Sequence, residues 1–460
     1  MVKAPFDICL DRISPQQGRC VLTCTKLLRH VPGKRSVYMA AFEGKDCVLK
    51  IYENRRRAKS HLRKEWSILK SLGESGLNCP APYFCGRTPK GDWAIVTEYI
   101  NNSQTALELY NAAAGTSEKV SILHLLCEEL AKLNHRGILQ KDLHLGNFLI
   151  SGDKVFCLDT VTMEFRSNPL NKTESMRQLA ILGIYIPKDR DEELAKKYAE
   201  IRGWKLTAED IKIIKSYTRE HFGREIKRQL KKTLRTSGRK VRFEKNGFKA
   251  VFDRDFCDSL DVQAFIEGID DLMKTGRVLK SRNTSFLSQV SIDGKQVVVK
   301  RYNHKGLWHS FRQTLQTSRA KRSWLHGHRL IMLGINTPRP LAFIEMRKGL
   351  LLWTSYIITE YVPGRNLGEV LLDTNIADEE KKQFRNQICG LMTRMHNKRI
   401  THGDFKRTNF ILSDKTIYVT DLDAMKVHLP GPVFEHRRRK DITRLERMFS
   451  VKQFSLRRKP

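Results

Sequence analysis

Two short segments of the chain place an aspartate five residues ahead of an asparagine. They are Asp142-Leu143-His144-Leu145-Gly146-Asn147 and Asp404-Phe405-Lys406-Arg407-Thr408-Asn409. Twelve residues after each asparagine a second aspartate, Asp159 or Asp421, ends an apolar run. Far upstream, Lys50 and Lys300 close apolar stretches of strand character. Phosphoryl transfer asks for a cation on the ATP phosphates, oxygen ligands for Mg2+, and a carboxylate that orients the acceptor hydroxyl. Lys50 and Lys300 suit the first role, Asn147, Asp159, Asn409 and Asp421 the second, and Asp142 and Asp404 the third. Lys406, two residues after Asp404, can reach the γ-phosphate. Each of these alone is commonplace, since a strand lysine is usually a solvated charge. The same four residue types in the same order, twice, are not. Neither segment has a G-x-x-x-x-G-K-[ST] or G-x-G-x-x-G string, which excludes a P-loop enzyme and a Rossmann dehydrogenase.

The pairing of motifs extends into an internal repeat. Gly44 to Tyr52 align with Gly294 to Tyr302 at an offset of 250. Trp66, Gly76, Asn78, Pro80 and Pro82 match Trp324, Gly334, Asn336, Pro338 and Pro340 at 258. Thr97-Glu98-Tyr99 matches Thr359-Glu360-Tyr361 at 262, and that offset also carries Asp142, Asn147 and Asp159 onto Asp404, Asn409 and Asp421. The offset only grows, and each change falls between matched blocks, where loops absorb insertions. Glu98 and Glu360 join the candidates on the nucleotide side. The copies also differ. Glu65, in Lys64-Glu65-Trp66, can pair with Lys50, whereas Ser323 stands there in the second copy and leaves Lys300 without that partner. His402-Gly403-Asp404 in the second copy is Gln140-Lys141-Asp142 in the first.

The elements that must position these residues follow from the pattern. Residues 37–50 and 286–300 read as hairpins turning at Glu43-Gly44 and Asp293-Gly294. Helical periodicity follows over 59–72 and 319–333, each ending near a glycine and a pair of prolines. Strands at 93–99 and 350–361 come next, then a mostly helical stretch down to the Asp142 and Asp404 segments. A small β-rich lobe followed by a helical lobe, an α+β arrangement, is predicted twice. The division is placed after residue 240, within a window of 236–275.

A chain of 460 residues can form two cores. Its apolar runs are far shorter than the roughly 20 residues of a spanning helix, and no secretory leader is evident. The ten cysteines are scattered, which reads as free thiols in a reducing cytoplasm. The 84 basic against 50 acidic residues give a net charge of +34, a field that draws polyanions. Residues 219–245 hold eleven Lys/Arg against three acids, with Phe222, Ile226, Leu230 and Leu234 forming one apolar helical stripe. Lys227, Arg228, Lys231, Lys232 and Arg235 would face an anionic lipid surface or a phosphorylated acceptor, as would Arg55 to Arg57 and the stretch from Arg437 to Lys459. No nucleic-acid-binding signature accompanies them.

The string Val298-Val299-Lys300-Arg301-Tyr302, then Trp324, Gly334-Ile335-Asn336-Thr337-Pro338-Arg339-Pro340, His402-Gly403-Asp404, Asn409 and Thr420-Asp421-Leu422-Asp423 resembles the lipopolysaccharide kinase (Kdo/WaaP, InaA-like) family. The first copy resembles it more distantly through Lys50, Glu65-Trp66, Pro80, Asp142, Asn147 and Asp159. The likeness spans roughly residues 30–170 and 280–450, and the H-G-D…N…D grammar is shared with aminoglycoside and choline kinases. It implies tandem protein-kinase-like modules that use ATP and Mg2+ on an inner-core sugar, heptose or Kdo, at the cytoplasmic face of the inner membrane. Asp142 and Asp404 would be bases, Lys50 and Lys300 would bind ATP, and Asn147, Asp159, Asn409 and Asp421 would bind Mg2+. The chain departs from the pattern at Ser323 and Gln140 and lacks a glycine-rich phosphate loop. Only 15 residues separate Asp421 from Arg437 and no A-P-E string occurs, which argues against a protein substrate. The rival readings are a tandem pseudokinase scaffold and a soluble small-molecule kinase of the aminoglycoside or choline type.

Overall fold

The computed structural model describes residues 4–31, 33–53, 55–186, 190, 192–303, 316–349 and 351–449. Helix and strand are mixed throughout, an α+β composition. The chain divides into two compact units, residues 1–225 and 226–460. The division falls inside the helix Ala208–Lys232, ahead of the position expected from sequence, and the chain just past it packs with the second unit through Thr233 and Leu234 on Trp324.

In the first unit six strands close into a barrel, in the order Phe6–Ser14, Gly18–Val31, Arg35–Phe42, Lys45–Tyr52, Trp93–Glu98 and Pro82–Arg87. The strand carrying Lys50 alternates: Cys47 and Leu49 are buried in the barrel's interior, so Lys50 stands on the opposite face, with Tyr52, towards the helix that follows. Glu43 and Gly44 both have positive φ, 49° and 75°, the geometry of a two-residue hairpin turn that pairs Phe42 with Lys45. The helix Arg55–Glu74 follows, burying Ala58, Leu62, Glu65, Ile68, Leu69 and Leu72 along one face. A helical part built on Thr116–His135 completes the unit, with Leu123, Leu126, Cys127 and Leu130 fully buried.

The second unit uses the same order of elements around an open, seven-stranded sheet. Its lysine strand, Lys295–Tyr302, has the same burial pattern, with Val297 and Val299 on one face and Tyr302 buried on the face of Lys300. Asp293 and Gly294 make the matching turn, at φ 46° and 74°. The helix Arg319–Met332 buries Ala320, Ser323, Trp324, Gly327 and Leu330. The hairpin of Lys240–Lys245 and Phe248–Asp253 pairs onto Pro340–Lys348, and short helices over 254–275 cover the sheet through Phe256, Ile266, Ile269 and Met273.

The helix under the stripe of Phe222, Ile226, Leu230 and Leu234 stops short of its last member. The helix ends at Lys232, Leu234 lies in the turn beyond it, and Lys240 is buried in a strand. There Lys240 meets Asp253 at 2.9 Å and sits 4.6 Å from the centre of the Trp324 ring. Ile226 and Leu230 are buried as the stripe requires, while Lys227, Arg228, Lys231, Lys232 and Arg235 are exposed. Residues 450–459 of the C-terminal basic stretch lie outside the described residues. No helix among the described residues is long and apolar enough to cross a membrane.

Candidate active site

In each unit a cleft opens between the sheet and the helical part. The second unit's cleft has a volume of about 640 Å³, and its lining includes Lys300, Glu360, Asn409 and Asp421. The first unit's is about 400 Å³, lined in part by Lys50, Glu65, Glu98, Asn147 and Asp159. Residues far apart along the chain are thus brought together within each unit. Asp404 and Lys406 border a separate notch of about 190 Å³ with Arg407, Arg444 and Arg447.

The local structure that aims these side chains is the same in both units. After Asp142 and Asp404 the chain makes a 3₁₀ turn, Leu145–Asn147 or Arg407–Asn409, and enters a hairpin. Asn147 Nδ2 donates to the carbonyl of Asp142 at 2.8 Å, and Asn409 Nδ2 donates to that of Asp404 at 2.9 Å. The five-residue spacing is what lets the amide reach back, and it leaves the amide oxygen available as a ligand. Leu158 N donates to Asn147 O at 2.8 Å, and Thr420 N to Asn409 O at 2.9 Å, which ties the next aspartate to the same turn. Asp159 and Asp421 both adopt left-handed backbone, at φ 50° and 62°. Non-glycine residues hold that conformation at a cost, and it recurs at functional sites.

The charges around Lys300 are concentrated. Its Nζ contacts Asp421 Oδ1 and lies 4.0 Å from Asp423, which also receives Arg319 Nε. Burial works against the Lys300 charge, but the Tyr302 oxygen and the Asp421 and Asp423 carboxylates outweigh it and raise its pKa. Burial likewise opposes the Asp421 carboxylate, yet Lys300 holds it well below the ordinary range. Asp423 is pushed up by its own burial, with Asp421 beside it. Lys300 is therefore not left without a partner by the loss of the helix acid: the two aspartates replace it. Ser323 instead hydrogen-bonds Tyr302 Oη at 3.0 Å.

In the first unit Lys50 Nζ meets Glu65 Oε1 at 2.5 Å, and Tyr52 Oη donates to the other carboxylate oxygen. Glu98 and Glu360 line the clefts while accepting from backbone amides, Ala81 N and Arg339 N, each at 3.1 Å. Lys406 Nζ contacts Asp404 Oδ2, to which Asn409 Nδ2 also donates at 3.2 Å. His144 stands at the matching place in the first unit, 3.8 Å from Asp142 Oδ2.

Two features escaped the sequence, and His402, singled out there, gains its partners here. Asp441, on the helix Pro432–Phe449 and 1% exposed, accepts from His402 N at 2.8 Å and Gly403 N at 3.2 Å. It holds the backbone immediately before Asp404. His402 is buried, which lowers its pKa and keeps the ring neutral. Its Nδ1 accepts from Asp404 N at 3.4 Å, so Nε2 carries the proton and donates to Thr420 O at 3.1 Å. The ring thereby links the two aspartate segments. Gln140 takes this place in the first unit, accepting from Thr162 Oγ1 at 2.7 Å and from Asp142 N at 3.4 Å. The second feature that escaped the sequence is the hairpin preceding the lysine strand, which lines each cleft and supplies Arg29 and Arg35, or Arg277 and Lys280.

Mg2+ favours one or two carboxylates plus amide, water and phosphate oxygens. Among the described residues no cluster of three or more His, Cys, Asp or Glu could hold a metal, and a nucleotide-dependent Mg2+ site does not need one. In the second unit Asn409 and Asp421, with Asp423 behind, fit that description. In the first unit Asn147 and Asp159 stand at the matching places, but no second carboxylate follows Asp159, which is paired to Arg35 Nη2 at 3.2 Å, so the fit there is poorer.

Residues 272–459 match the model of the lipopolysaccharide kinase (Kdo/WaaP) family. A stretch of 98 residues is 29% identical to a 3-deoxy-D-manno-octulosonic acid kinase of Vibrio cholerae serotype O1. That match takes in 21% of this chain and 40% of the relative's length. The C-terminal region, which contains Lys300, Asp404, Asn409, Asp421 and Asp441, is thus similar to lipopolysaccharide kinases.

Proposed function

We propose that the second unit is an ATP- and Mg2+-dependent phosphotransferase whose acceptor is a sugar hydroxyl of the lipopolysaccharide inner core, heptose or Kdo. The observation that carries this reading is the convergence of Lys300, Asn409 and Asp421 on one cleft, with Asp404 hydrogen-bonded to Asn409, inside the stretch that matches the kinase family. Lys300 would hold the nucleotide phosphates, exchanging part of its contact with Asp421 for phosphate oxygens. Asn409 and Asp421 would hold Mg2+, which supplies neutralisation of the charge shared by the β- and γ-phosphates. Asp404 would take the proton of the acceptor hydroxyl, and Lys406 beside it would stabilise charge on the transferred group. Asp441 and His402 orient that aspartate without touching the substrate. The notch of Lys406, Arg407, Arg444 and Arg447 suits an acceptor that already carries negative charge.

On this reading the two halves descend from a duplication, in line with their shared turn, hairpin and left-handed aspartate. The exposed basic residues and the net charge of +34 support a peripheral place on the anionic inner face of a membrane, with no specific nucleic acid as partner. Transfer from labelled ATP to isolated core oligosaccharide tests the reading. EDTA should abolish transfer, and Asp421→Asn should lower it by roughly 10³-fold, the scale of losing charge stabilisation at the phosphates. Transfer that survives both changes would rule the reading out.

A further inference from the structure

The two clefts differ where a metal would sit. In the second unit Asp421 is followed two residues later by Asp423, so two carboxylates converge there. In the first, Val161 occupies the place of Asp423, and Asp159 is the only acid of the pair. Its carboxylate is already engaged by Arg35, from the strand Arg35–Phe42, at 3.2 Å. At the offset of the lysine strand Arg35 corresponds to Ser285, and the second cleft sets Lys300 on Asp421 and Arg319 on Asp423, against two carboxylates rather than one.

Both side chains of the pair are largely enclosed, each 23% exposed. Arginine does not give up its proton in proteins, so the positive charge is permanent. Burial raises the Asp159 pKa, but Arg35, Lys50 and Arg29 together outweigh it and lower it, which favours the carboxylate against the guanidinium. A divalent cation arriving here would meet one carboxylate, one fixed positive charge on it, and Arg29 on the same wall. Phosphate oxygens would meet the opposite: a forked donor, a second arginine, and Lys50 held in place by Glu65. Leu28, Val37, Ile95 and Leu149 give the cleft apolar walls for a flat base.

We propose that the first unit's cleft binds a nucleoside polyphosphate without metal, Arg35 and Arg29 taking the place of Mg2+, and that this unit does not itself transfer phosphate. The inference rests on reading both clefts as nucleotide sites, and the transfer assay on the second unit reports on that reading separately. The test is equilibrium dialysis of ATP against the full chain carrying Lys300→Ala, which weakens the second cleft, in EDTA and in excess Mg2+. Bound ATP should differ by less than about threefold between the two conditions, because the phosphate charge is met by side chains alone. Adding Arg35→Ser should cut binding in EDTA by about tenfold, the weight of one charge-assisted contact, and Arg35→Lys should cut it less. Circular dichroism confirms that each variant is folded. ATP bound only with Mg2+, no ATP bound in either condition, or Arg35→Ser binding as well as its parent in EDTA would each overturn the proposal.

Discussion

Asp441 shows how a side chain that touches no substrate can govern the one that does. It accepts two buried amide hydrogens from His402 and Gly403 and so sets the backbone direction of Asp404. Leaving a buried donor unsatisfied costs about 1–3 kcal/mol. Asp441→Ala should therefore lower the melting temperature and depress kcat far more than KM, because nucleotide contacts are made elsewhere. A change confined to KM would contradict the positioning role. The Arg35–Asp159 pair makes a prediction in pH. Asp159 has a depressed folded pKa, so its contribution to stability is present above the ordinary carboxylate value of about 3.9 and lost as pH falls through the folded value. Arg35→Ser should melt below the parent near neutral pH, with the gap closing below about pH 4. A gap independent of pH would mean the pair is not what Arg35 contributes. Asn409 and Asp421 were legible as candidates through their type and their spacing along nearby chain, and Lys300 through the repeated strand that it ends. Asp441 and Arg35 were not. Asp441 adjoins the basic run Arg437 to Lys440, which reads as surface charge, and Arg35 acts on a residue 124 positions away.

The lysine strands were readable as elements because alternation and a Glu-Gly or Asp-Gly turn are local signals. Gly294, at φ 74° with open space around it, has a purely conformational task. Gly294→Ala should destabilise the chain by about 1–2 kcal/mol through backbone strain alone, read as a fall in melting temperature. No loss would show that the turn adopts another form. The barrel strand Phe6–Ser14 and the hairpin over 240–253 were missed, since neither lies in the repeated blocks and both gain their place by pairing with distant strands. The helical stripe of Phe222, Ile226, Leu230 and Leu234 overshoots by its last member for a related reason. Its apolar spacing continues past Lys232, but Leu234 serves the Trp324 cluster from a turn, and Lys240 is drawn inside by Asp253.

At the scale of the whole chain the two units share the lysine hairpin, the 3₁₀ turn and the left-handed aspartate, and they differ in charge most tellingly at the aspartate that follows the second hairpin. The second unit keeps two carboxylates there and the buried Asp441 behind its loop, and the first has Val161 and an arginine instead. The net charge of +34 belongs to this scale too. The chain should sediment with anionic vesicles at low salt and release them at about 1 M salt, where the screening length is about 3 Å. Failure to bind at low salt would remove the surface from the account. The most direct test is transfer of labelled phosphate from ATP to isolated core oligosaccharide by the full chain and by Asp404→Asn. The amide keeps the shape of the loop but cannot take the hydroxyl proton, and the account predicts a fall of about 10²–10⁴-fold with ATP still bound. Undiminished transfer by Asp404→Asn would contradict it.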